Sequence, residues 1–174
     1  MDLKIIGQAF GILATVITFT SYQLNSKKSI LITQTVATLC TCICYFLLGA
    51  KEGFALNVVC IVRNITFYFL NIKQGYTVAI ASLFSAVMIG LGMLTWQGPI
   101  SLTLIIALAI NTLILSLGKP QLLRQSIIFT SGSILIYNIF VFSIGGIANE
   151  AISILSSIIG ILRYRSSKKA LDSL

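Results

Sequence analysis

The sequence predicts an all-α integral membrane protein of seven transmembrane helices, and three observations carry that expectation. Hydrophobic residues make up 57% of the 174 residues and the mean hydropathy is +1.00, which leaves too little polar side-chain surface to cover a water-soluble domain. Charged side chains are few, 12 Lys+Arg and 4 Asp+Glu, and they fall in short clusters separated by uncharged stretches about one bilayer long. A helix rising ~1.5 Å per residue needs roughly 20 apolar residues to cross a hydrocarbon core about 30 Å thick. Strand-like alternation of polar and apolar residues is missing, and backbone polar groups in lipid must be satisfied within their own segment, so helices are expected rather than a barrel.

Charges, Gly and Pro mark the spans in order. The first, Ile5–Leu24, is long for a secretory leader and is followed by Ser26-Lys27-Lys28 with no small-x-small cleavage site, so it reads as a retained helix. Span two, Ile30–Gly49, closes on Tyr45-Phe-Leu-Leu-Gly49, and span three, Phe54–Leu70, follows the polar pair Lys51-Glu52. Span four, Thr77–Thr95, is divided from span five, Pro99–Leu117, by no charge at all. Trp96-Gln97-Gly98-Pro99 breaks the two apart, because Trp favours the interface, Gly ends helices and Pro suits a first helical position. Spans six and seven, Ser126–Phe142 and Ile147–Leu162, complete the set before a basic tail over 164–174.

Lys and Arg then orient the path. Lys4 and Lys51 lie on the side of the N-terminus. Lys27, Lys28, Lys73, Lys119, Arg124, Arg163, Arg165, Lys168 and Lys169 lie on the other, with Arg63 inside a span. Cytoplasmic loops of membrane proteins carry the excess of Lys and Arg, which predicts the N-terminus outside and the C-terminus in the cytoplasm. The same clustering at helix ends, rather than along one exposed face, argues against nucleic-acid binding despite a net charge of +8.

A shift of 92 residues superimposes spans one to three on spans five to seven. Tyr45 falls on Tyr137, Gly53 on Gly145, Asn57 on Asn149, and Ser26-Lys27-Lys28 on Gly118-Lys119-Pro120. The expectation is a 3+1+3 plan within a single membrane domain (1–174): a first triple-helix bundle over 5–71, a linker helix over 77–95 and a second bundle over 99–163, the two bundles parallel because the odd helix restores direction.

Size, the Tyr45-Phe-Leu-Leu-Gly49 closure, the apolar segment with Arg63, Ser143-Ile-Gly-Gly-Ile-Ala-Asn-Glu150 and Ile161-Leu-Arg-Tyr164 together resemble the YgjV family of bacterial inner-membrane proteins over nearly the whole chain. That resemblance implies a multi-pass protein of the bacterial cytoplasmic membrane. The plan also resembles the SWEET and PQ-loop (MtN3-like) transporter class. Pro120-Gln121 stands near the end of span five where that class has its Pro-Gln pair, while Tyr22-Gln23 replaces it in the first half. The resemblance implies hinges at Tyr22, Gln23, Pro120 and Gln121, a substrate-side Asn at Asn57 and Asn149, and alternating access to a solute. Arg63 departs from the pattern of sugar-carrying members.

Arg63 itself is the sharpest signal, since a cation near the middle of a span costs ~2.5–3.5 kcal/mol on insertion scales and must face the interior with partners. Glu150 is the acidic side chain within a span, which makes an Arg63–Glu150 pair the natural expectation, either as glue between bundles or as a site for an anionic group. Asn57, Asn64 and Asn71 recur every seven residues on one face of span three; Asn71 reads as solvated near the cytoplasmic interface, and Asn57 and Asn64 as interhelical hydrogen bonds or as pocket lining. Asn149, Ser153, Ser156, Ser157 and Gly160 form a small, polar stripe on span seven, and Gly7 and Gly11 a helix-packing GxxxG.

Cys40, Cys42, Cys44 and Cys60 match neither a disulfide framework nor zinc spacing, and the sequence has no His, so no metal or cofactor is expected and the thiols read as small packing residues. No nucleophile and base pair is legible, which argues against an enzyme. Beside the lipid bilayer, the expected partner is a small polar or anionic solute, and a homo-oligomer is compatible. A non-transporting assembly or sensor protein is the alternative reading.

Overall fold

The computed structural model describes residues 3–21, 27–69, 74–117 and 120–172. Seven helices account for them: α1 (Leu3–Ser21), α2 (Lys27–Leu48), α3 (Lys51–Phe69), α4 (Gln74–Leu94), α5 (Ser101–Ser116), α6 (Pro120–Phe140) and α7 (Ile144–Asp172). The protein is an all-α membrane protein, as its composition predicts. On length and apolar composition alone, the windows Leu3–Thr20, Thr77–Leu94 and Ile144–Leu162 qualify as membrane spans. α3 is less apolar because it carries Lys51, Glu52, Asn57, Arg63, Asn64 and Thr66, of which the fold buries Glu52, Arg63 and Asn64.

Side-chain distribution is inverted relative to a soluble protein. Leu94, Phe129, Phe69 and Leu83 project outward at 83%, 79%, 75% and 65% exposure, whereas Glu52, Arg63, Asn64, Thr112, Asn138 and Glu150 are buried. A soluble domain would bury the first group and expose the second. The apolar mantle faces a solvent that is itself apolar.

Several helices run past the spans that hydropathy marks. α2 begins at Lys27 rather than Ile30, α3 at Lys51 rather than Phe54, and α7 continues through the basic segment to Asp172. Hydropathy reports the apolar stretch, while the hydrogen-bonded ladder continues through polar residues at each end. One difference bears on the hinge expectation. Pro120 and Gln121 do not end span five; α5 stops at Ser116 and Pro120 opens α6, six residues earlier than Ser126. Pro lacks an N–H and has φ pre-set for a helix, so the first helical position suits it and the last turn does not. Tyr22, Gln23 and Asn71 lie outside the described residues.

The helices pack as a ring. α1 to α7 each adjoin the next in sequence, and α7 adjoins α1. Within each triple the middle helix stands between the other two, α2 between α1 and α3, and α6 between α5 and α7. The closing seam of the ring is a backbone contact. Gly11 of α1 lies against Gly145 of α7, where a Cβ added to Gly145 would meet the Gly11 and Ile12 backbone. Thr15 Oγ1 donates across the same seam to Gly145 O (2.8 Å).

Turns at one face are cut short by specific residues. Gly49, with φ of +77°, caps α2 as Ala50 N–H bonds back to Tyr45 O (2.9 Å). Ser143 caps α7, its Oγ accepting from Gly146 N (3.2 Å). Gln8 of α1 holds this corner, its Oε1 accepting from Ile144 N (2.9 Å) and its Nε2 donating to Phe142 O.

Candidate functional site

A cavity of about 220 Å³ runs inside the ring, with Asn57, Arg63 and Asn64 of α3 and Asn149 and Glu150 of α7 on its walls. All five residues singled out as binding candidates from sequence therefore face one space. The side chains of Pro120 and Gln121 lie outside the described residues.

One end of the cavity is shut by a hydrogen-bonded aromatic layer. Tyr45 and Tyr137 meet edge to face with ring centroids 6.0 Å apart. Tyr45 Oη donates to Asn138 Oδ1 (2.7 Å), and Tyr137 Oη accepts from Gly53 N (3.1 Å). Gly is required at position 53, because a Cβ there would sit 2.8 Å from the Tyr45 ring. Away from this layer, the lining continues through Thr18, Gln34, Asn111, Leu115 and Ile127 toward the end of the ring where α1 and α5 finish and α2 and α6 begin. The cavity is thus closed on the face of the N-terminus and reaches toward the basic face.

Arg63, 7% exposed, is held by three hydrogen bonds: Nε and Nη2 donate to Asn64 Oδ1 (3.2 and 2.9 Å), and Nη1 donates to Thr112 Oγ1 (2.7 Å). Thr112 can accept because its own proton goes to Leu108 O (2.8 Å). Glu150, 9% exposed, accepts from Asn149 Nδ2 (3.2 Å), and Asn57 Nδ2 donates to Gly53 O (2.7 Å). Asn149 Oδ1 is buried with no hydrogen-bond partner.

The expected Arg63–Glu150 ion pair is not formed; no bond or ion pair joins the two among the described residues. Depth separates them. The two helices begin at the same face, and Arg63 stands twelve residues into α3 whereas Glu150 stands six into α7. At ~1.5 Å per residue the axial offset is about 9 Å.

Compared helix by helix, the second and third helices of the two triples are offset by 93 residues rather than 92, while α1 and α5 start at Leu3 and Ser101. Lys27 and Pro120 open α2 and α6, and Lys51 and Ile144 open α3 and α7; both intervals are 93 residues, not 92. Cavity lining follows the longer interval. Thr18 corresponds to Asn111, Thr38 to Ser131, Thr41 to Ile134, Asn57 to Glu150 and Cys60 to Ser153, and every one of these residues lines the cavity. At 92, Arg63 would correspond to Leu155, which is 59% exposed, and Glu150 to Val58, which is 40% exposed. Identity matches mislead here because Tyr45 and Tyr137 are spatial neighbours in one layer rather than counterparts. Tyr45 corresponds instead to Asn138, to which it is bonded.

Sequence reasoning missed part of the wall. Gln34, Thr38, Thr41 and Tyr45 recur at intervals of four, three and four, one helical face of α2 that was legible as a polar stripe. Thr112 carried no signal apart from its neighbour Asn111. Glu52 was placed in a loop, yet it is fully buried in the first turn of α3. The four cysteines are buried and free; Cys44 Sγ lies 3.7 Å from Ser143 Oγ, so they pack as expected.

A family model described as a bacterial inner membrane protein, Imp-YgjV, matches residues 5–168. The chain belongs to the Imp-YgjV family. No curated protein and no solved structure matches it. Imp-YgjV membership locates this chain in the bacterial inner membrane, in agreement with its apolar mantle. The segment Ser143 to Glu150, on which the resemblance leans, has a physical role at each step: Ser143 caps α7, Gly145 meets α1, Gly146 clears Asn138, and Asn149-Glu150 enter the cavity.

Proposed function

We propose that this protein is a transporter or facilitator for a small polar solute, carried by alternating access. The supporting observation is the polar cavity itself, which brings Arg63, Asn64, Asn57, Asn149 and Glu150 to one space inside a ring whose outer surface is apolar. A role confined to helix packing would be served by filled contacts. Here instead the buried Asn149 Oδ1 is left unbonded, and Arg63 uses three of the five N–H donors a guanidinium has.

Cavity size limits the solute. Pockets for drug-sized ligands run to ~300–1,000 Å³, so about 220 Å³ suits a solute of few heavy atoms. With the N-terminus outside, as the Lys and Arg distribution favours, the Tyr45–Tyr137 layer closes the external side and the cavity reaches toward the cytoplasm. The repeat at 93 residues supplies two similar half-walls whose relative tilt would exchange the open end. The likeness in plan to the SWEET class points the same way.

Purified protein in liposomes tests the reading. Solute flux above that of empty vesicles is expected for at least one member of a panel of anions, amino acids and polyols. Flux indistinguishable from empty vesicles across the panel, together with co-purification of one stoichiometric protein partner, would instead establish a non-transporting assembly role.

A further inference from the structure

The cavity presents two ionisable groups of opposite sign that do not satisfy each other. Arg63 uses three of the five N–H donors of a guanidinium on Asn64 and Thr112, which leaves two. Glu150 takes one amide donor from Asn149 and lies beside the Ser131 hydroxyl, while Asn149 Oδ1 has no partner. Both charged residues are more than nine-tenths buried. Buried charges demand partners, and an unpaired buried acceptor does so as well.

Their positions in the repeat sharpen the point. At the 93-residue register, Arg63 of the first unit corresponds to Ser156 of the second, and Glu150 of the second corresponds to Asn57 of the first. On the cavity wall Asn57 stands where the second unit has Glu150, and Arg63 has no lining counterpart, since Ser156 does not line the cavity. A neutral polyol would leave both charges unmatched. A simple anion would leave Glu150 unmatched, and a simple cation would leave Arg63 so.

Resting on the transport reading above, we infer that the solute is a small zwitterion, its anionic group received by Arg63 and its cationic group by Glu150 and the free Asn149 Oδ1. The 9 Å axial offset between the two backbone positions is spanned by the side chains and the solute together.

Radiolabelled uptake into liposomes holding the full-length protein tests this, with glycine, L-alanine and 4-aminobutanoate as zwitterions. Methanesulfonate, tetramethylammonium and erythritol serve as the anionic, cationic and neutral probes. At least one zwitterion is expected to enter roughly tenfold faster than any of these three, about the factor one charge-assisted contact supplies. Glu150→Gln should shift preference toward methanesulfonate, and Arg63→Gln toward tetramethylammonium. Should either variant fail to fold, the wild-type comparison decides alone. Erythritol, methanesulfonate or tetramethylammonium entering as fast as the best zwitterion overturns the solute class and leaves transport standing. No flux of these or of the wider panel removes transport, and the zwitterion with it.

Discussion

Replacing Gly145 by Ala should unseat the seam that closes the ring. A Cβ at this position would overlap the Gly11 and Ile12 backbone of α1, and backbone cannot rotate away as a flexible side chain could. Overpacking of this kind costs about 1–3 kcal/mol. Separating the helices also stretches the 2.8 Å bond from Thr15 Oγ1 to Gly145 O, worth ~0.6 kcal/mol inside a membrane bundle. Together the loss is about 2–3 kcal/mol. At ~2–4 °C per kcal/mol for a chain of this size, the melting temperature should fall by at least about 4 °C. Gly90→Ala and Gly132→Ala are the internal controls. Both lie in helices with nothing within 4 Å of an added Cβ, and Ala favours a helix by ~0.5–1 kcal/mol, so each should melt at or above wild type. Thermal unfolding of the detergent-purified protein, followed by monodispersity on size exclusion, reads all three. A Gly145→Ala protein as stable as wild type would show that α1 and α7 do not cross in backbone contact, and the ring would be open there.

Other substitutions probe the closed end. Tyr137→Phe keeps the edge-to-face contact with Tyr45 but leaves the Gly53 N–H without an acceptor at a 1% exposed site, a loss of about 1–3 kcal/mol that thermal unfolding should register; an unchanged melting temperature would mean water replaces the hydroxyl. Ser143→Ala removes the cap of α7 and should cost ~1 kcal/mol in the same assay; an unchanged melting temperature would mean the Gly146 N–H finds another acceptor. Glu52 is fully buried, and the neighbouring Ser101 hydroxyl, which accepts the Gln97 N–H (3.2 Å), is not in bonding geometry with either carboxylate oxygen. An ionised carboxylate in such a place is expensive, so Glu52→Gln should fold with equal or greater stability; a clear drop in melting temperature would reveal a use for the charge.

How far the fold could be read from sequence depended on which physical signal each part carries. Helix number followed from charge spacing, because lipid penalises every charged side chain and the breaks between helices are where charges collect. The span-four to span-five break carried no charge, yet Gly98, with φ of +135°, sits in the turn that Trp96 to Pro99 predicts. Helix ends were less legible: Lys27, Lys51 and Pro120 are polar or helix-initiating residues that hydropathy assigns to loops. Arg63 and the Asn residues announced themselves by being costly in lipid. Thr112 did not, because a hydroxyl that bonds its own helix, as Thr112 does to Leu108 O, is cheap anywhere in a span. Glu52 escaped notice because its position next to Lys51 mimics a solvated turn, while the fold buries it completely.

The repeat register links these observations. Identity searching favours 92 because it counts Tyr on Tyr and Asn on Asn, whereas Tyr45 and Tyr137 are neighbours in one layer of the structure. The starts of the second and third helices of each triple and the cavity lining agree instead on 93; at that interval Asn57 corresponds to Glu150, and Arg63 has no lining counterpart. A wall built only to pack the halves together would favour pairing those charges with each other, since an uncompensated buried ion is the costliest group in the molecule. They are held apart by about two turns of helix, with Arg63 steadied by Asn64 and Thr112 and Glu150 by Asn149. The cavity thus has two poles, Arg63 on α3 and Glu150 on α7. The neutral lining that the halves share, from Thr18 and Asn111 to Thr38 and Ser131, supplies a polar surface over which a small solute can be held without either pole being left in vacuum.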